Sequence, residues 1–537
     1  RITTPTPPIM AKQSRDVFQQ PSAGTVSHDE PPPAIGRGVS EQRFFGHPVG
    51  LSTLFFTEMW ERFSYYGIRP LLVLFMTAAL AQGGFGFERS TASSIVGIYA
   101  ACVYLASLPG GWIADRLLGL RRSIWYGGIL IALGHLSIAL SIKFAHSAFF
   151  IGLVLIVMGT GLLKPNISAI VGDLYPEGGS RRDAGFSIFY MGINLGALVA
   201  PLVTGYLGEK VGWHLGFGAA GVGMLIGLVT YRMRADKTLG TIGVDPASVD
   251  PREHRRVKMS AFVGVAIIAL LVILTMSGVV HINPVSAAEK MSLVMLGLAL
   301  AYFIYLFVGG GLTTEEKKRV VVIILLFIFA TIFWSAFEQA PTSLNLFARD
   351  YTDRVVFGWE MPTLWLQAAN SVFIILLAPV FAWAWIALGK RGKDPSSVAK
   401  FAWGLFFAGL GFVVMWEGAK IVVNAGGNIR LSPWWLVWSY FFQTLGELSL
   451  SPVGLSSMTK LAPSKFKGQM MGVWFMATAI GNLIAGLVGG HVDPEKLPEM
   501  PTLFRQTSIS LFVAAVVCGL LVFAVRRMMK GVPAGQR

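Results

Sequence analysis

The sequence predicts an all-α membrane protein with fourteen transmembrane helices, arranged as two six-helix bundles and an inserted helical pair. Composition is the first reason. Of 537 residues, 54% are hydrophobic and 14% charged, and mean hydropathy is +0.60; a soluble chain carries about 25% charge. The second is the recurrence of apolar stretches near the 20 or so residues that cross a bilayer. They fall at about 49–80, 91–115, 123–143, 148–171, 185–207, 213–231, 259–280, 288–311, 320–348, 361–389, 401–422, 433–459, 468–490 and 504–525. Each is expected to be helical, because lipid leaves the backbone only its own partners. The third is the distribution of Lys and Arg, which gather in alternate loops.

With the N-terminus inside, the inner loops hold Arg116, Arg121 and Arg122, then Arg181 and Arg182, then a basic run from Arg232 to Lys258. They continue with Lys317–Arg319, Lys390–Lys400, Lys460–Lys467 and the tail from Arg526. This places both termini in the cytoplasm of a multi-pass inner-membrane protein. The same rule accounts for the net charge of +15, which in a soluble chain would point to nucleic acid. Two cysteines, Cys102 and Cys518, lie in apolar runs and offer no disulfide framework or metal quartet. Residues 1–45 have no apolar core and are read as a disordered tail rather than a signal peptide. The expected organisation is a first bundle over 46–231, a basic linker and helical pair over 232–319, a second bundle over 320–530, and a tail over 531–537.

The first span is unlike a lipid-facing helix. Glu58, Glu61, Arg62, Tyr65, Tyr66 and Arg69 fall on one stripe about 140° wide. A charge at the bilayer centre costs about 2.5–3.5 kcal/mol even on insertion scales, so such residues face partners or a water-filled cavity. Lys164, Glu338 and Glu447 are the other ions of this kind. Depth along each helix, at 1.5 Å per residue, pairs Lys164 with Glu58 and Glu61 or with Glu447, and Arg69 with Glu338. Both pairings would join opposite halves, one nearer each face. Contacts that hold in one state and break in another are what alternating access needs.

Other polar and aromatic positions carry less. Tyr104, Phe333, Trp334 and Trp474 are candidate pocket walls, with packing as the plain alternative. Asn194 and Asn370 sit mid-span, where helix–helix hydrogen bonding is the alternative. His135 has small neighbours and reads as packing. The Asp115-Arg116…Arg121-Arg122 turn reads as a staple of helix ends.

Several motifs resemble one family. Glu58-x-x-Glu61-Arg62-Phe63-x-Tyr65-Tyr66-Gly67 is similar to the first-helix motif of the proton-dependent oligopeptide transporters, the POT branch of the major facilitator superfamily. So are Gly110-Gly111-Trp112-Ile113-Ala114-Asp115-Arg116-Leu117-Leu118-Gly119 and Phe186-Ser187-Ile188-Phe189-Tyr190-Met191-Gly192-Ile193-Asn194-Leu195-Gly196 to later signatures, along with Lys164-Pro165-Asn166, Phe337-Glu338-Gln339 and the run from Gly446 to Leu455. The extra helical pair resembles that of the bacterial members. The resemblance implies a major facilitator fold and symport of di- and tripeptides with protons, the proton being the coupling ion and no cofactor being needed. It implies proton coupling by Glu58, Glu61, Arg62 and Lys164. Gates would be Arg69 with Glu338, and Lys164 with Glu447. The peptide amino end would meet Glu447, Asn194 and Asn370; its carboxylate would meet Arg69, Lys164 and Tyr66. Tyr104, Trp334, Ser451 and Trp474 would line side-chain pockets. Two departures stand out: residues 91–115 lack the histidine of some animal members, and Asn370-Ser371 replaces a frequent Asn-Pro.

The substrate class agrees with the charges. A site that fixes two opposite ends and leaves room between them accepts many peptide sequences. A carboxylate whose cation turns to the substrate can take a proton, which couples the two. Rival cargoes on the same scaffold are nitrate, a drug or a metabolite; Glu447 favours an ammonium end over a small anion. A non-transporting peptide receptor is a further rival. No nucleophile–base pair or ligand cluster points to an enzyme, and a functional monomer is expected.

Overall fold

A computed structural model describes residues 43–528, except 145, 178 and 247–249. The expected N-terminal tail lies outside the described residues save for its last three, and the expected tail at 531–537 lies wholly outside them. The helices are α1 (Gly50–Thr77), α2 (Arg89–Ile113), α3 (Leu120–Phe144), α4 (His146–Asp173), α5 (Gly179–Tyr206), α6 (Trp213–Leu239), α7 (Pro251–Met276) and α8 (Pro284–Val308). They continue with α9 (Thr314–Phe337), a short α10 (Asn345–Tyr351), α11 (Ala368–Lys390), α12 (Ser397–Asn424), α13 (Trp434–Leu461), α14 (Lys467–Gly489) and α15 (Glu499–Met528). Fourteen of these are long, as expected. Twelve spans among the described residues are long and apolar enough to cross a membrane, α9 and α10 forming one of them. The two long helices outside that set are α1 and α13, which carry the charges of the first-span stripe and Glu447. The helices least suited to lipid are therefore those that face the interior, and α1 is buried along almost its whole length.

Packing follows the small residues. In the first half α1 lies against α5 and α6, α3 against α4 and α6, and α2 against α4. In the second, α12 lies against α13 and α15, and α9 against α13, α14 and α15. The halves meet where α2 crosses α14 and α5 crosses α11. Gly97 shows why α2 and α14 come so close: a Cβ there would stand 2.7 Å from the Asn482 carbonyl oxygen and 2.9 Å from the Gly486 Cα. Of the inserted pair, α8 rests on both α2 and α14, while α7 buries only Val257. Helix starts are set by local chemistry. Asp250 and Asn283 cap α7 and α8 ahead of a proline, and Thr313 and Glu316 form a reciprocal capping box on α9.

Three boundaries differ from expectation. Helix α6 runs to Leu239, so the linker expected from 232 is helical for its first turns and the true loop starts at Gly240. That loop returns to the start of α3, where the Arg121 amide donates to the Gly243 carbonyl at 2.8 Å. Gly119 makes room for it: its φ is +78°, and a Cβ would run into the Val244 carbonyl oxygen. The span expected over 320–348 is broken. Helix α9 ends at Phe337, Glu338 takes the capping position, and a wide turn at Ala340–Leu344 containing Pro341 leads into α10. The span expected from 361 opens with a short tight turn, Thr363–Gln367, before α11.

Two small antiparallel hairpins lie outside the helices, β1 (Arg43–Phe44) with β2 (His47–Pro48) and β3 (Val355–Val356) with β4 (Trp359–Glu360). Each turns through a Phe-Gly pair with positive φ at both residues, Phe45-Gly46 and Phe357-Gly358.

Candidate functional site

The stripe on α1 is assembled as its periodicity requires. Arg62 lies between two carboxylates, with Nε 3.1 Å from Glu58 and a closer ion pair to Glu61, and all three side chains are at most 3% exposed. These are charge contacts with imperfect hydrogen-bond geometry: one oxygen of each carboxylate, together with Arg62 Nε and Nη2, has no aligned partner. The Arg62 guanidinium also lies 5.2 Å from the centre of the Tyr65 ring, which Arg69 approaches at 5.8 Å from further along the helix.

Arg69 reaches across to the second half. Its Nη2 donates to the Glu338 carboxylate and, at 2.6 Å, to Asn482 Oδ1 on α14. The break after α9 is what leaves Glu338 at a helix end, facing α1. Further ties between the halves lie toward the same end. Arg89 at the start of α2 pairs with Asp350 at 2.6 Å and with Asp493 at 3.8 Å. Glu209, past the end of α5, accepts from the Thr363 and Leu364 amides at 2.8 and 3.1 Å and lies 4.0 Å from Arg354. Lys210 pairs with Glu360 at 3.4 Å. Asn345 Nδ2 donates to the Pro70 carbonyl at 2.7 Å. Among the described residues, the ion pairs that join one half to the other all lie at this end.

Lys164 is placed differently from expectation. It pairs neither with Glu58 and Glu61 nor with Glu447. Its ammonium lies over the Tyr104 ring, 4.4 Å from the centroid, and among the described residues no carboxylate is within ion-pair distance. Glu58, Glu61, Arg62 and Glu338 remain within its electrostatic reach. Among the described residues no ion pair joins α4 to α13, and the face of the Tyr104 ring attracts the ammonium in place of a carboxylate. Glu447, half-buried, instead accepts from Asn370 Nδ2 at 3.4 Å, and the same amide donates to Thr444 at 2.9 Å.

The remaining candidates divide. Tyr66 and Ser451 are half-buried, and Tyr66 is within electrostatic reach of Arg62, Glu338 and Glu447. Tyr104 holds Lys164 from α2 and has Phe475 of α14 beside it at 6.4 Å. Asn194 turns back on its own helix, donating to the Tyr190 carbonyl at 2.9 Å. Trp334 is buried with its indole N–H unpartnered and lies edge-on to Phe333 and Phe337. Trp474 is buried against Gly454, where a Cβ would run into the indole ring.

The comparisons with known proteins identify the family. The model of the POT family matches residues 121–500. The chain belongs to the POT family. This POT-family chain is 51% identical over 491 residues to a peptide transporter of Yersinia enterocolitica subsp. palearctica, covering 90% of the chain and 96% of the relative. It is 38% identical over 492 residues to a di-/tripeptide transporter of Lactococcus lactis, covering 90% and 95%. Among solved structures, the peptide transporter POT with sulfate superposes with a TM-score of 0.84 at 42% identity, covering 92% of this chain and 98% of that one. A POT family transporter with 5-aminolevulinic acid gives 0.82 at 36% identity, covering 91% and 99%. The fold is the major facilitator fold of that family, in a multi-pass membrane protein.

Sequence reasoning missed three parts of the site in this POT-family chain. Asn482 is one. Its only signal is the pair of glycines near it, Gly481 beside it and Gly486 one turn on, which mark a helix face that neighbours approach closely. The bond from His135 to the α1 motif is the second. His135 is buried with Gly221 of α6 against its Cβ, as a packing residue is expected to be, and its Nε2 is bonded to Ser64 of that motif at 2.5 Å. The third is Glu209, which lies in the wide helical turn after α5 and gives no signal in the sequence beyond its charge.

Proposed function

We propose that this chain is a proton-coupled symporter that imports di- and tripeptides across a bacterial inner membrane by alternating access. It works as a monomer in the bilayer, with both termini in the cytoplasm, a proton as its coupling ion and no cofactor, and it is a carrier rather than an enzyme. The observation that carries the reading is the charge content of the seam between the halves. Four carboxylates, Glu58, Glu61, Glu338 and Glu447, face three cations, Arg62, Arg69 and Lys164. Such a set is one negative charge in excess, and a single proton or a single ammonium balances it. Ions at this depth are costly unless they pair, so the imbalance gives the carrier a reason to take up one proton, while a zwitterionic peptide adds no net charge.

With the termini inside, the Arg69–Glu338 end is the outer one, and the structure is the carrier closed to the outside. Lys164 and Glu447 then stand apart because the inner side is released. A peptide spans between them: Glu447 with Asn370 suits the amino end, while Lys164, held over Tyr104, suits the carboxylate. The proton belongs to the Glu58–Arg62–Glu61 cluster, where one cation serves two carboxylates. The named cargo of the Lactococcus relative and the amino acid held by one solved relative, a compound with an amino group and a carboxylic acid, support a site that grips two opposite ends.

The test is uptake of a labelled dipeptide panel into proteoliposomes with an imposed acid-outside gradient, for the wild type and Lys164→Ala. Gradient-driven accumulation in the wild type, lost in the variant and competed by unlabelled dipeptide, is expected. Competition by nitrate but not by dipeptide would assign a different cargo. Dipeptide binding with no accumulation in sealed vesicles would make the chain a receptor.

A further inference from the structure

A concavity lies away from the seam, on the face that holds the α2–α3 turn and the end of α6. It encloses about 360 Å³ between Arg121, Arg122 and Trp125 of α3 and Tyr231, Arg232 and Asp236 of α6. Two of its guanidiniums are partly committed. Arg121 donates to the Gly240 carbonyl at 2.8 Å and to the Asp236 carboxylate, and Arg232 pairs with the same Asp236 at 3.1 Å. Arg122 is exposed and has no carboxylate within ion-pair distance among the described residues. Two of the three guanidiniums thus share one carboxylate, and the third has none beside it among the described residues. Helix stability does not explain them on α3, since a cation in the first turn opposes the helix dipole. A purely topological role would need positive charge on this face, but not a walled recess with an aromatic side.

Below this mouth the flanks are apolar and uncovered. On α3, Tyr126, Leu133 and Leu136 share one exposed face; on α6, Val222, Leu225 and Val229 share another. The two helices pack side by side, so the stripes run together from the basic recess toward the middle of the membrane. A cationic mouth above paired apolar flanks matches an amphiphile with an anionic head. We propose that the groove between α3 and α6 binds one anionic phospholipid from the leaflet on that face. Its phosphodiester sits between Arg122 and Arg232, and its acyl chains lie along the two stripes. The half-buried Trp125 ring suits the level of the headgroup, and the planar guanidinium suits a phosphate better than a point charge does. Because Arg121 already ties α3 to the end of α6, the lipid would clamp the same two helices within the first half.

The test is native mass spectrometry of the full chain purified with phosphatidylglycerol, counting retained lipid. The wild type is expected to keep one tightly held molecule. Retention should fall about tenfold in Arg122→Ala/Arg232→Ala, from roughly 1 kcal/mol per basic residue less the share already neutralised by Asp236. A control, Lys390→Ala/Arg391→Ala, removes two exposed charges at the end of α11 and should keep the lipid. Equal loss in both double variants, or equal retention in all three proteins, would overturn the proposal. So would displacement of the lipid by glycerol phosphate alone, which would make the recess a site for a soluble anion. Thermal unfolding of each variant, unchanged in lipid-free detergent, separates lost binding from lost folding.

Discussion

The Arg69 guanidinium of α1 pairs with the Glu338 carboxylate at the break after α9, and one of its nitrogens also reaches Asn482 of α14 at 2.6 Å. Three helices from both halves are thereby held at one buried point. Removing one partner of a buried pair costs about 3–5 kcal/mol, because the other charge is left uncompensated. Glu338→Gln should therefore weaken the closed state by enough to move a two-state equilibrium more than about a hundredfold. Spin labels at Gln82 and Val356, both exposed near that end, should report a longer distance distribution in the variant, and gradient-driven uptake should fall. An unchanged distribution would show that the remaining ties suffice.

The shared position of Arg62 separates coupling from binding. Glu61→Gln leaves Arg62 with Glu58 at 3.1 Å and removes the surplus carboxylate. Proton-driven accumulation is expected to drop at least about tenfold, while exchange of internal for external peptide at equal pH continues. The comparison of the two assays in one vesicle preparation checks it.

The contact between Lys164 and Tyr104 depends on the ring face, not on the hydroxyl. At 4.4 Å from the centroid, such a contact contributes about 0.5–2 kcal/mol. Tyr104→Phe should keep a KM close to wild type, whereas Tyr104→Leu should raise it about 2- to 30-fold. Equal effects of both substitutions would assign the role to the hydroxyl.

Acidity at the face that holds Glu360 should not open the carrier through that residue. Burial raises the pKa of this carboxyl, but the charges of Arg354 and Lys210 outweigh it and hold the group below its ordinary 4.5. A lowered value means its ion pairs contribute fully above pH 4.5 and are lost only as pH falls through the lowered value. Glu360→Gln should thus leave the shape of the uptake–pH profile between about pH 5.5 and 7.5 unchanged, with at most a uniform offset. A shift of the midpoint within that range would contradict it.

Much of the site could be read before folding. Ions in apolar stretches stand out because insertion into lipid penalises them, and helical periodicity puts Glu58, Glu61, Arg62 and Arg69 on one stripe. Depth and sign then suffice to match Arg69 with Glu338. What could not be read depends on rotation and tilt. The Ser64–His135 bond and the Asn482 contact each join side chains from helices whose relative rotation no local pattern records. The break after α9 was hidden because Pro341 lies near the end of a strongly apolar run, where a continuous helix is the simplest reading.

By itself the sequence determined which residues are buried ions, how many helices carry them, and which family the chain resembles, because hydropathy and period are local and survive any arrangement of the bundle. Only the tertiary structure decided which ions touch. Arg69 and Arg89 hold α1 and α2 against the end of α9, α10 and α14, Glu209 holds the end of α5 against the turn before α11, and Lys164 rests on an aromatic ring instead of a carboxylate. A contact that exists in only one of two states of the same chain is fixed by how the halves are tilted, and no stretch of sequence encodes a tilt.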